Sequence, residues 1–398
     1  MARDLPVGGD RSGESPGLDP HTVPSPSYVI DEAVVEHNLR LLDEVQRRSG
    51  AVILMALKAF ALPALFPRIA AVLPGVCASG PHEARLGKEC HGGEVHTFSP
   101  AYSAEDLEEV LALSDHVVFN SPAQWLRFRE RCLKLDRRYG LRLNPEHSEA
   151  EVALYDPCAP YSRLGTTVAT LREALGEHPD LLEGISGLHM HTLCEQGSDA
   201  LERTVDVTEQ RFGEWLPQMQ WLNLGGGHHI TRPEYDRELL IRVIDRLQTR
   251  YGLQVYLEPG EALVLNSGIL VATVLDTLVN GMPIAILDVS ATAHMPDVLE
   301  MPYRPEIENA AAPGERTHTY RLAGPTCLAG DVIGDYSFDR PLQPGDRLVF
   351  RDMAHYTFVK TTMFNGVQHP ALVLHNSETN RTRVLRRFGY HDFLVRLT

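Results

Sequence analysis

Cysteine is sparse in this 398-residue chain, and the few present make no pattern. Cys77, Cys90, Cys132, Cys158, Cys194 and Cys327 are scattered, with no C-x-x-C pair. That argues against a structural zinc site and favours a reducing, cytoplasmic setting. Positive charge is also short: 37 Lys and Arg against 53 Asp and Glu leave a formal net charge of −16. Nucleic acid binding needs a basic face, so no such partner is expected, whereas an acidic chain suits cationic small molecules. No apolar run is long enough to cross a bilayer, so no membrane partner is expected either. Residues 1–26 are rich in Pro, Gly, Ser and charge, have no apolar stretch of a signal peptide, and read as a flexible leader.

Periodicity supplies the architecture. Residues 33–262 alternate amphipathic helices with short apolar strands, expected near 52–57, 75–79, 94–98, 116–120, 140–144, 185–191, 220–225 and 254–258. Helices are expected between them, for example over 81–91, 103–113, 122–134 and 233–252. Eight such repeats predict an α/β fold, a (β/α)8 barrel of the TIM type. Residues 263–398 change texture to strand-like runs such as "IAILDVS", "GDRLVF" and "ALVLH", with turn signals at Pro344-Gly345 and Asn365-Gly366. They predict a second, mostly β domain of barrel or sandwich type, to which residues 27–32, "SYVIDE", add a strand.

In such a barrel, chemistry sits at the C-terminal ends of the strands. The stretch "VILMALKAF" puts Lys58 at the end of the first strand. Two readings stand: a snorkelling side chain, or an amine kept reactive by desolvation for bonding a carbonyl compound. His191 ends the sixth strand, Gly225, Gly226 and Gly227 the seventh, and Glu258 the eighth. The glycine triplet suits either a tight turn or the backbone cradle of a phosphate. Glu258 is a buried carboxylate that needs a cationic partner, such as a pyridinium nitrogen. A rival metal-hydrolase reading takes His189 and His191 as an H-x-H motif with His228, His229 and Asp288. It is disfavoured because that motif normally opens such a barrel, and no metal is expected.

Lys58, "HTLCEQ", "LGGGHH", "EPGE", "GPTCLAGD" and "HYTFVKTTMFNG" together resemble the alanine racemase-like, fold type III pyridoxal-phosphate decarboxylases. The resemblance runs from about Ser27 to the C-terminus. It implies that Lys58 bonds the cofactor, His191 stacks on its ring and Glu258 pairs with the ring nitrogen. Gly225, Gly226 and Gly227 would hold the phosphate with help from the Tyr356 hydroxyl. Cys327 and Asp331 would face the substrate from the second subunit of a homodimer, and Arg163 matches an arginine near the cofactor in relatives. Ornithine and diaminopimelate decarboxylases carry an arginine for the phosphate after "EPG", where this chain has Glu261. That change puts phosphate neutralisation on His228 or His229. It also suits a substrate with extra amines, faced by Glu261, Asp297 and Glu300. The implied activity is loss of CO2 from a carboxylated polyamine. Rivals on the same fold are an ornithine or diaminopimelate decarboxylase and a non-catalytic regulator, the latter expected to lack Lys58 or Cys327.

Overall fold

The computed structural model describes residues 17–150 and 153–398. Strand β1 (Ser27–Asp31) leads into the helix Glu32–Ser49. Eight strands follow: β2 (Val52–Ala56), β3 (Gly75–Ala78), β4 (Glu94–Phe98), β5 (His116–Phe119), β6 (Arg138–Arg142), β7 (Ile185–His189), β8 (Trp221–Asn223) and β9 (Gln254–Leu257). They form a closed barrel in sequence order, every neighbour parallel, shut by Val52 and Ile53 pairing with Tyr256 and Leu257. All eight expected strands are present. The expected helices form over Pro81–Leu86, Ala104–Leu113, Pro122–Cys132 and Arg237–Tyr251, the first continuing as a π-helical turn, Gly87–His91. Their starts are written in the sequence. Ser103, Ser121 and Asp236 each cap a helix by accepting a backbone N–H, and Pro122 follows its cap where a missing N–H costs nothing.

Side chains alternate in and out along each strand, so parity decides which residues enter the barrel. Trp221 fills the interior with Leu54, Val118 and Tyr256. Its indole lies against Gly187, where a Cβ would come within 2.0 Å of the ring, and its Nε1–H donates to Ser186 Oγ at 3.0 Å. Counting on in steps of two from Leu54, Gly187, Trp221 and Tyr256 reaches Lys58, His189 and His191, Asn223, and Glu258. The interior parity that builds the core therefore delivers these polar groups to one mouth.

The chain divides into two compact units. Residues 38–263 form one, and residues 264–398 with the described residues up to His37 form the other. The second unit is a mixed eight-stranded sheet containing β10 (Gly268–Asn280), β11 (Met282–Leu287), β12 (His318–Ala323), β13 (Val332–Phe338), β14 (Arg347–Arg351), β15 (Ala371–Asn376) and β16 (Arg381–Arg386). Its order is β13-β12-β11-β10-β1-β15-β16, with β14 also paired to β10. One half of β10 lies between β1 and β14. After a register shift at Val274 and Asp276 the other half pairs with β11. β1 is buried along its whole length, parallel to β15 and antiparallel to β10. Residues 1–16 of the expected leader lie outside the described residues. The leader reading fails for the segment that follows: Val23 is 4% exposed and packs with Val29, Ile269, Val271, Val349 and Val373, and Leu18 packs against that cluster. Ser25 Oγ donates to Asp288 at 2.6 Å.

Candidate active site

Lys58 lies two residues beyond β2, in a turn where Ala56 O accepts from Ala59 N–H and Phe60 N–H. The expectation of a buried amine is not met, since Lys58 is exposed in the single chain while both its neighbours are buried. Its ammonium nevertheless acts electrostatically on His189, His191, Cys77 and Cys194.

His191 is held by the glycine turn. Its Nδ1 accepts the Gly226 N–H at 2.8 Å, which places any ring proton of the neutral form on Nε2. Burial, then the Lys58 ammonium and Arg142, push its pKa well below the ordinary value, so the ring is neutral at physiological pH. The turn itself is a product of close approach. Gly225 and Gly227 have φ of +70° and +83°, and a Cβ on them would meet Met190 O at 2.4 Å and Leu193 O at 2.1 Å. The three glycines are not three equivalent phosphate donors, because the Gly225 N–H is bound to Asn223 Oδ1 at 2.8 Å and that of Gly226 to His191. Gly227 is the glycine of the triplet whose N–H has neither engagement.

Glu258 carries the strongest electrostatic signature of the mouth. Oε1 accepts from Asn223 Nδ2 at 2.7 Å, and Oε2 faces His189 Nε2 at 3.4 Å. Burial pushes its pKa up, but the hydrogen bonds from His189 and the Asn223 amide work against it, and the carboxyl lies well below the usual range. Burial keeps His189 itself neutral. Phe98 stacks on His189 at 5.5 Å, and the buried Arg142 guanidinium lies 4.5 Å from the centre of the Phe98 ring. Burial lowers Arg142 to about 10, and its Nη2 donates to His191 O at 3.2 Å. Asn223, Phe98 and Arg142 were not expected from sequence. The step of two along β8 from the core residue Trp221 was the signal available for Asn223.

Other expectations need correction. Glu261 was expected to face a substrate amine, yet it is only 9% exposed and its Oε2 lies 3.1 Å from His229 Nε2. The His229 imidazole expected to neutralise a phosphate is thus engaged by the acid that replaced the arginine. His228 is buried, which lowers its pKa to about 4, so it is a neutral group. Arg163 has an exposed side chain, and its carbonyl accepts from Asn120 Nδ2 at 2.8 Å. The residues of the metal-hydrolase reading have other partners: His189 faces Glu258, His191 accepts from the Gly226 N–H, His229 faces Glu261, and Asp288 accepts from Ser25 and Thr273.

Within the second unit, Asp331 is corrected most clearly. Expected to face the substrate, it is 3% exposed and accepts from Ser290 Oγ, Ala291 N–H, Thr292 N–H, and both Thr326 N–H and Thr326 Oγ1. It organises its own loop. Cys327 in that loop is an exposed free thiol, its N–H fixed by Asn365 Oδ1 at 2.8 Å. Tyr356 sits at φ +52°, an uncommon conformation for a bulky residue. Asp297 and Glu300 are brought together by Lys360, whose ammonium binds both.

Residues 27–354 match the family model described as "Pyridoxal-dependent decarboxylase, C-terminal sheet domain". The chain belongs to the pyridoxal-dependent decarboxylases. It is 45% identical over 387 residues to the carboxyaminopropylagmatine decarboxylase of Synechocystis sp., covering 96% of this chain and 97% of that one. It is 44% identical over 385 residues to the carboxynorspermidine/carboxyspermidine decarboxylase of Campylobacter jejuni, covering 94% and 98%. The crystal structure of the Campylobacter jejuni carboxynorspermidine decarboxylase, complexed with norspermidine, superposes with a TM-score of 0.85 at 42% identity, covering 94% of this chain and all of that one. For a pyridoxal-dependent decarboxylase, the residues just beyond the barrel strands offer an amine, Lys58, a neutral flat ring, His191, and an ionised acid, Glu258.

Proposed function

We propose that the protein uses pyridoxal 5'-phosphate to decarboxylate carboxynorspermidine or carboxyspermidine, releasing norspermidine or spermidine and CO2. The observation that carries this reading is Glu258, a carboxylate held ionised inside the barrel by two neutral donors, Asn223 and His189, at the same mouth as Lys58. Such an anion fits a protonated pyridine nitrogen. The near-full-length similarity to relatives named for these substrates supports the substrate class.

Lys58 is the residue that would hold the cofactor covalently, with His191 as the flat neutral surface against its ring. The Gly227 N–H and the Tyr356 hydroxyl would serve the phosphate. When bound, the cofactor supplies an electron sink for the pair left behind by CO2. Glu258 keeps a proton on the ring nitrogen, and because it is ionised without a cation of its own it does so at little cost. The Cys327 thiol is the proton donor to the substrate α-carbon, which we assign to the partner subunit of a homodimer. Asp297 and Glu300 would recognise the distal cation of the substrate in exchange for the Lys360 ammonium that they hold in the single chain. The acidic chain, with no described helix long and apolar enough to cross a membrane, suits a cationic substrate met in the cytoplasm.

A second substrate has a specific observation in its favour. The Synechocystis relative, as similar as the Campylobacter one, is named for carboxyaminopropylagmatine. That compound ends in a guanidinium where the others end in an amine. The test is CO2 release and product analysis on a panel of carboxynorspermidine, carboxyspermidine, carboxyaminopropylagmatine, diaminopimelate and ornithine. Preference for either of the first two supports the proposal. Preference for the third moves the substrate to the guanidinium class, and preference for the last two overturns it.

A further inference from the structure

Asn223 closes a small circuit between two strand ends. Its Oδ1 accepts the Gly225 N–H at 2.8 Å, its Nδ2 donates to Glu258 Oε1 at 2.7 Å, and the Glu258 N–H donates to Gly225 O at 2.7 Å. Three residues on β8, on the glycine turn and just beyond β9 are thereby held together by three hydrogen bonds. The order of donors matters. A backbone N–H can only donate, so Gly225 fixes which end of the Asn223 amide is oxygen. The other end is then an NH2 group, also donor only, and it faces a carboxyl oxygen that must accept. Asn223 is fully buried, Gly225 is buried, and Glu258 is partly buried.

We propose that Asn223 is a positioning residue that ties Glu258 to the glycine turn and, together with His189, favours its ionised form, a role that rests on the cofactor reading above. The turn dictates the amide orientation, and the amide orientation favours the ionised acid. Thus the group that would meet the ring nitrogen and the loop that would meet the phosphate are kept in fixed relation by one side chain. No contact between Asn223 and the cofactor is required.

The discriminating variant is Asn223→Asp, which keeps the shape and the acceptor for Gly225 but replaces the donor to Glu258 by a second carboxylate. Two carboxyls at hydrogen-bond distance share a proton and release it only well above the ordinary carboxylate range. The readout is equilibrium binding of pyridoxine 5'-phosphate, which has the ring nitrogen and the phosphate but no aldehyde, to the cofactor-free protein. Taken as a ratio to wild type, Asn223→Asp affinity should change by about tenfold or more between about pH 6 and about pH 9, one pKa displacement being a factor of ten. In the Glu258→Gln background the added carboxylate faces an amide, and there the ratio of the double variant Asn223→Asp/Glu258→Gln to Glu258→Gln should be independent of pH. A flat ratio for Asn223→Asp, the result expected if Asn223 only braces the turn, overturns the inference. So does a pH dependence that persists in the double variant. Failure of the wild type to bind the probe overturns the cofactor reading, and this inference falls with it.

Discussion

Asp331 shows how a single residue separates a substrate role from a structural one. Its carboxylate accepts five hydrogen bonds from two segments of the second unit, residues 290–292 and Thr326. Replacement by alanine leaves buried donors unmet, for which about 3 kcal/mol or more of stability should be lost. Thermal or denaturant unfolding of Asp331→Ala measures this; an unchanged midpoint with a raised KM would instead restore the substrate role. Lys58→Ala, by contrast, should leave unfolding nearly unchanged because the side chain is exposed. Turnover should fall on the order of a thousandfold or more, as for other covalent machinery that acts as a unit. Survival of turnover would remove Lys58 from the mechanism.

At the scale of elements, the barrel was legible because one rule, alternation along strands, both fills the core and aims the polar ends. Lys58, His191 and Glu258 each follow interior positions, so a sequence reading could place them at one mouth. What alternation does not contain is the partner across the barrel. Glu261 was misread because its partner His229 comes from the loop after β8, and Asp331 because three of its five donors come from residues 290–292, far back in the chain. The glycine triplet was read half correctly, since close approach at Met190 and Leu193 demands the glycines while two of their N–H groups turn inward to protein acceptors. Trp221 and Gly187 offer a test at this scale. Gly187→Ala sets a Cβ against the indole and should cost about 1–3 kcal/mol through overpacking. Combining it with Trp221→Leu, which vacates that space, should cost less than the two single changes summed. Additivity in the unfolding free energies would show that the indole is not what the glycine serves.

For the whole molecule, buried neutral histidines set the acid limit. Burial lowers His228 and His294 to about 4, and the His294 Nδ1 accepts the Ser290 N–H, which favours the neutral ring. Between the usual histidine range near 6.5 and about 4, the unfolded chain binds more protons than the folded one. Their contribution is therefore fully present above that range and declines as pH falls through it, by up to about 1.4 kcal/mol per pH unit for each residue. Melting temperature should drop steadily from about pH 7 to about pH 5, and His294→Gln should flatten the slope; an equal slope in the variant would mean that His294 titrates normally.

The central claim is that Lys58 is the amine that holds the cofactor, and the lysine inventory makes it unusually easy to examine. The chain has Lys58, Lys88, Lys134 and Lys360. Lys134 and its partner Glu130 are both exposed, Lys88 approaches Asp115 at the surface, and Lys360 is held by Asp297 and Glu300. The protein incubated with pyridoxal 5'-phosphate, reduced with borohydride and digested should carry the phosphopyridoxyl group on the peptide containing Lys58. Label confined to Lys88, Lys134 or Lys360, or no stable label at all, would contradict the account.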